Sequence, residues 1–328
     1  MKIGLIDVDG HNYPNLALMK ISAFHKKLGD IVEWYEPLKH GWPNEPMDRV
    51  YVSKVFGNEY SEDYPYPINA NEILKGGTGY CIRVVNGIEV YYKPVDAVLS
   101  YEIEHMYPDY ELYPEYTKDT AYGFLTRGCP NNCAFCIVGK KEGRCSVKVA
   151  DLFEFWNGQK NIEILDPNIL ACKDHMELLQ QLVDSGARVN FNQGLDARFI
   201  NEENVQLLKR IKIPIIHFAF DFMKNEERVI RGLKLAKEHL QMTDRRSAVY
   251  MLTNYDTSIA QDLYRVQKIK EVGFMPDVRI YRKASLPKTS ILKDLQRWCN
   301  NRFLYQSCDF MDYVPRKDGR TIREIYFS

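Results

Sequence analysis

From Ala121 onward the chain repeats one pattern, a short run rich in β-branched and aromatic residues followed by a polar stretch with helical apolar spacing. Strands are expected at 122–126, 161–166, 188–192, 215–221, 248–254 and 278–281, about 26 to 40 residues apart. Connecting helices are clearest at 174–185, with Met176, Leu179 and Val183 on one side before Gly186, and at 258–271, with Ile259, Leu263, Val266 and Ile269 before Gly273. Parallel strands need crossovers, and crossover helices cover a sheet, so this alternation restricts the region to a parallel α/β fold. A barrel, part of one, and a doubly wound sheet all satisfy the periodicity.

The N-terminal part reads as a smaller α/β unit. Strands are expected at 2–8, 30–35, 49–56 and 97–101, with a helix at 15–28 carrying Leu16, Met19, Ile21 and Phe24 and closing at Gly29. Tyrosines, acids, Pro108 and Pro114 crowd the next stretch and break any long element. The expected organisation is therefore a Rossmann-like or flavodoxin-like domain at 1–103, a linker at 104–120, the repeated α/β core at 121–285 and a helical, basic extension at 286–328.

Over 328 residues, 45% hydrophobic and 27% charged is the composition of a folded globular chain, which excludes disorder and coiled coil as descriptions of the whole. No apolar run approaches the ~18 residues of a membrane helix, and acids follow Met1 too soon for a secretory leader, so a cytoplasmic protein with no membrane partner is expected. Lys plus Arg equals Asp plus Glu at 44 each, which leaves no global field for a polyanion. From Arg279 to Ser328, however, 11 basic residues face 5 acidic ones. The pairs Arg297-Trp298 and Arg302-Phe303 in that tail are the residues by which a nucleic acid would be met, although a solvated helical face explains them more cheaply.

Eight cysteines without a leader point to metal or redox chemistry rather than a disulfide scaffold. Cys81, Cys145, Cys172, Cys299 and Cys308 are scattered and are expected to be small buried hydrophobes. Cys129, Cys133 and Cys136 instead fall within eight residues, on the loop leaving the first repeated strand. Three soft ligands on one loop suit three corners of a cubane iron-sulfur cluster, leaving the fourth iron open to a small molecule. The competing reading is a structural zinc closed by Cys145, giving a zinc-stabilised protein without catalysis. Cys299 and Cys308 are too few for a second cluster, so a single one is expected.

At Cys129, Cys133, Phe135 and Cys136 the sequence resembles the radical S-adenosylmethionine superfamily, whose mark is Cys-x3-Cys-x-aromatic-Cys after the first strand of a partial (βα)6 TIM-like barrel. The resemblance implies a [4Fe-4S] cluster on Cys129, Cys133 and Cys136 whose open iron takes the amino and carboxylate groups of S-adenosylmethionine. It also implies an electron donor such as flavodoxin or ferredoxin, and a 5′-deoxyadenosyl radical that abstracts hydrogen from a substrate the sequence does not name. Barrel sites lie at the carboxyl ends of strands, so Phe135, Asp166, Asn168, Gln193, Asp196, Arg198, Asp221 and Asn254 are the expected cofactor contacts. Among these, Asp166 and Asn168 suit the methionyl amine, Gln193 and Asp196 the ribose hydroxyls, and Arg198 the carboxylate; turn formation is the alternative for the 190–198 segment.

Near the start, Asp9-Gly10-His11-Asn12-Tyr13-Pro14 partly resembles the Asp-x-His-x-x-Gly turn of cobalamin-binding domains, with Ser53 and Gly76-Gly77 echoing later positions of that family. That resemblance implies cobalamin as a further cofactor and a cobalamin-dependent methyltransferase as an alternative, beside a nucleic-acid-modifying enzyme of the methylthiotransferase kind. A tight strand-to-helix turn capped by Asp9 or Asn12 is the plainer reading of the same residues. The run Lys75-Gly76-Gly77-Thr78-Gly79-Tyr80 reads either as a loop approaching a phosphate or as a flexible connection.

Overall fold

Ile3, Leu5 and Ile6 occupy both faces of one strand, and a strand apolar on both faces must be covered on both. In the computed structural model, which describes residues 1–10, 12–58, 60–85 and 88–328, this strand is β1 (Lys2–Asp7). It lies inside a parallel sheet with β2 (Ile31–Trp34), β3 (Met47–Ser53) and β4 (Ala70–Gly76), in the order β2-β1-β3-β4. Ile3 and Leu5 pack with Leu18 and Ile21 of the helix Leu16–Lys27, while Ile6 packs with Tyr35, Met47, Val50 and Val52. The expected pattern of parallel strands covered by helices is present.

Three local expectations are corrected. No strand forms at 97–101, where Val98 is exposed and the chain turns into the short helix Tyr101–Glu104. The fourth strand is β4, which was not expected because five of its seven residues are exposed and its apolar residues show no alternation. The glycine-rich run is also no flexible connection: the Gly79 N–H donates to the Lys54 carbonyl at 2.8 Å. Gly77 has φ +98°, and a Cβ there would sit 2.3 Å from the same carbonyl. Gly77→Ala should therefore cost about 1–3 kcal/mol, read as a lowered urea midpoint. Ser53 has a structural task too, since Asn15, the N-cap of the first helix, donates from Nδ2 to its Oγ at 2.9 Å. His11 lies outside the described residues.

The chain divides into two compact units, Met1–Pro167 and Asn168–Ser328. Beyond its first sheet, unit one holds the antiparallel hairpin of β5 (Ile82–Val85) and β6 (Ile88–Tyr91). It also holds β7 (Thr120–Gly123), the pair β8 (Thr126–Arg127) and β9 (Val147–Lys148), and β10 (Asn161–Ile164), which is parallel to β7. The stretch at 104–120 is packed rather than loose: the Tyr110 hydroxyl donates to the Phe155 carbonyl at 2.5 Å, and that of Tyr113 to Asp7 at 2.6 Å.

Unit two continues the alternation with β11 (Arg188–Phe191), β12 (Ile216–Ala219), β13 (Ser247–Thr253) and β14 (Pro276–Ile280). The last three form a parallel sheet in that order, and a parallel bridge from Arg188 to Lys212 joins β11 to the approach to β12. The helices His175–Ser185, Asn204–Arg210, Glu226–Leu240 and Ile259–Val272 fall between or beside these strands. Leu178, Leu179 and Leu182 form the buried face of the first helix, in place of the expected Met176–Leu179–Val183 stripe. Among the described residues no helix is long and apolar enough to cross a membrane.

Candidate functional site

The strand expected at 122–126 breaks after Gly123, and Asp166 explains the break. Its carboxylate, 3% exposed, accepts from the backbone N–H groups of Leu125 (2.7 Å) and Thr126 (2.8 Å) and from the Thr126 hydroxyl (2.7 Å). A side chain thus takes amides that a sheet ladder would otherwise use. Three residues after the end of β7, β8 opens the cysteine loop, and its antiparallel pairing with β9 closes the loop at residue 147.

The loop is braced at its root. Gly128 turns with φ +84° at a point where a Cβ would lie 2.2 Å from the Cys145 carbonyl, so no other residue fits. Glu142 accepts from the Gly128 N–H at 3.2 Å and from Arg127 at 3.3 Å. Arg127 also reaches Glu104 at 3.5 Å and lies over the Phe124 ring at 3.6 Å, while Lys141 pairs with Asp96 at 2.7 Å. Within the loop, the Cys129 N–H donates to the Gly143 carbonyl at 3.1 Å and the Cys136 N–H to the Cys133 carbonyl at 2.9 Å.

No disulfide joins any of the eight cysteines. Cys81, Cys172 and Cys299 are buried as expected; Cys145 is exposed and Cys308 half-buried, contrary to expectation. Cys129, Cys133 and Cys136 are half-buried, as is Phe135, and burial pushes the Cys136 thiol up. Among the described residues no three His, Cys, Asp or Glu side chains are gathered as a metal site. Cys129, Cys133 and Cys136 do share one loop whose two ends are pinned, and thiols are the donor type that soft metals take.

In unit two, Asp196 is the centre of a polar group. Arg198 donates to it from Nε (2.8 Å) and a terminal nitrogen (2.7 Å), and Asn168 donates from Nδ2 at 3.0 Å. Burial raises the Asp221 carboxyl, with Arg198 and Arg265 pulling it down and Asp196 pushing it up; one oxygen accepts from the Leu252 N–H at 2.9 Å. Asn168, Asp196 and Arg198 are thus in contact, and Asp221 feels two of them. Gln193 is exposed, and Asn254, at φ 61°, donates to the Tyr281 carbonyl at 2.8 Å.

Two residues at this strand end escaped the sequence reading. Arg265 and Asp262, both 0% exposed, pair at 2.5 Å on the buried face of the helix Ile259–Val272. Arg265 also donates to the carbonyls of Phe220 (2.7 Å), Asp221 (3.0 Å) and Leu252 (2.9 Å), which clamps the carboxyl ends of β12 and β13. The signal was available: residues 262, 265, 266 and 269 share one helical face. In the basic tail, Trp298 is 3% exposed and packed on Tyr305 and Phe310, so it presents no ring for a base to stack on; Phe303 is exposed.

Asp166 also predicts a pH dependence. Burial pushes its carboxyl up to about 7, against the downward pull of its three donors. An unfolded Asp titrates near 4, so between about pH 4 and 7 the folded chain keeps a proton that the unfolded chain has lost, and stability falls as pH rises through that window. The urea midpoint of the wild type minus that of Asp166→Asn, measured across this window, should therefore decline as pH rises.

Compared with models of known protein families and with curated proteins, the chain matches none.

Proposed function

We propose that this chain is a radical S-adenosylmethionine enzyme, with Cys129, Cys133 and Cys136 holding a [4Fe-4S] cluster and the βα units forming the partial barrel that the cysteine motif implies. The observation that carries the reading is the motif itself, Cys-x3-Cys-x-Phe-Cys, on a loop that begins three residues after β7 with its thiols partly accessible. When bound, the cluster and S-adenosylmethionine supply reductive cleavage of the sulfonium, an electron coming from a donor such as flavodoxin or ferredoxin.

The chain's own contribution is positioning. Asp166, Glu142 and Arg127 hold the root of the cysteine loop. Asn168 and Arg198 fix the Asp196 carboxylate, whose two oxygens already accept four hydrogen bonds, so this group shapes the 196–199 turn beside the strand end. Phe135 brings an apolar ring to the loop, in keeping with exclusion of water.

Anaerobic reconstitution with iron and sulfide is the test. About four irons per chain, and 5′-deoxyadenosine on adding S-adenosylmethionine and dithionite, are expected. A chain that takes up no iron, or holds a single zinc instead, would overturn the proposal.

A further inference from the structure

A cavity of about 440 Å3 lies at the carboxyl ends of β1 and β2, bounded on one side by Asp7, Trp34 and Glu36 and on the other by residues 112–116. The carboxyl edge is where open parallel sheets bind small molecules, and this volume suits one. Its walls are unusual in kind. Trp34 and Tyr113 pack edge to face at 5.4 Å, Tyr35 and Tyr64 do the same at 6.4 Å, and Tyr116 adds a fifth ring.

Three carboxylates, Asp7, Glu36 and Glu115, also line the cavity, and no Lys, Arg or His is among the described residues that do so. The Tyr113 hydroxyl already donates to Asp7, and burial beside that carboxylate raises the phenol further, so Tyr113 stays neutral. The buried hydroxyl of Tyr64 has no hydrogen-bond partner among the described residues and belongs to the same lining.

Aromatic faces attract a cation through their quadrupole, and carboxylates attract it directly, whereas both repel an anion. We propose that this cavity binds an organic cation, a small molecule carrying a quaternary or protonated ammonium group. The inference uses none of the cysteine loop and stands whether or not the chain holds a cluster.

The test uses the full chain, titrated calorimetrically with choline and with 3,3-dimethyl-1-butanol, the neutral carbon isostere of the same shape. Choline should bind saturably, and the isostere about tenfold more weakly or not at all. Glu36→Gln with Glu115→Gln, both at exposed positions that leave the fold intact, should weaken choline about tenfold and leave the isostere unchanged. Tyr116→Leu should weaken choline about threefold. Equal binding of the two probes, choline binding indifferent to the paired Gln substitutions, or no saturation by choline up to about 10 mM would each overturn the proposal.

Discussion

Cys133→Ser should leave the chain folded and nearly empty of iron. The thiol is half-buried on a loop whose root is held by other groups: the β8–β9 pairing, the Glu142 contacts and the turn at Gly128. Replacing one sulfur by oxygen there should move the stability of the metal-free chain by no more than about 1 kcal/mol. Its effect on a cubane is far larger, because a serine hydroxyl is a poor ligand for soft iron and two thiolates no longer hold three corners. After anaerobic reconstitution, iron should fall from about four per chain to below about one, and 5′-deoxyadenosine should disappear, with circular dichroism unchanged. Cys145→Ser, at an exposed thiol outside the triad, should keep both. If Cys145→Ser empties the site as thoroughly as Cys133→Ser, four closed ligands are present and the open-iron reading fails.

Arg265→Met should destabilise unit two by about 3–5 kcal/mol, the usual cost of removing one partner of a buried ion pair. The guanidinium is fully buried and meets three strand-end carbonyls, the Thr257 hydroxyl and Asp262. Its loss strands the Asp262 charge and leaves those carbonyls short of a donor. The double variant Asp262→Leu/Arg265→Met should recover part of the loss, because no charge then remains buried alone. Chemical denaturation of the wild type, the single variant and the double variant reads this directly. A single variant within about 1 kcal/mol of the wild type would mean that the clamp is dispensable.

How far the residues foretold the fold depended on where their partners lay. The strands β1, β2, β3, β10, β11, β12, β13 and β14 were legible because apolar runs bounded by turn residues report burial on a parallel sheet. The strand β4 was not: five of its seven residues are exposed, and its apolar pair Ile73-Leu74 sits between Glu72 and Lys75 with no alternation to mark a buried face. The Val98-Leu99 pair misled in the opposite sense, since only Leu99 packs against the core. At the candidate site, the thiol spacing and the shared helical face of Asp262 and Arg265 were plain, whereas the amides that Asp166 accepts from and the Phe220 and Asp221 carbonyls that Arg265 meets were hidden, as they lie about 40 residues away along the chain.

The order of residues alone therefore determined the parallel alternation and the grouping of three thiols, because both are properties of neighbours along the backbone. Only the tertiary structure decided which charges go inside. A buried carboxylate or guanidinium is tolerated where distant amides, carbonyls and hydroxyls converge on it, and helical or strand periodicity carries no record of that convergence. The same holds for the aromatic, acidic cavity, whose walls come from four separated stretches of chain that acquire their joint chemistry only by folding.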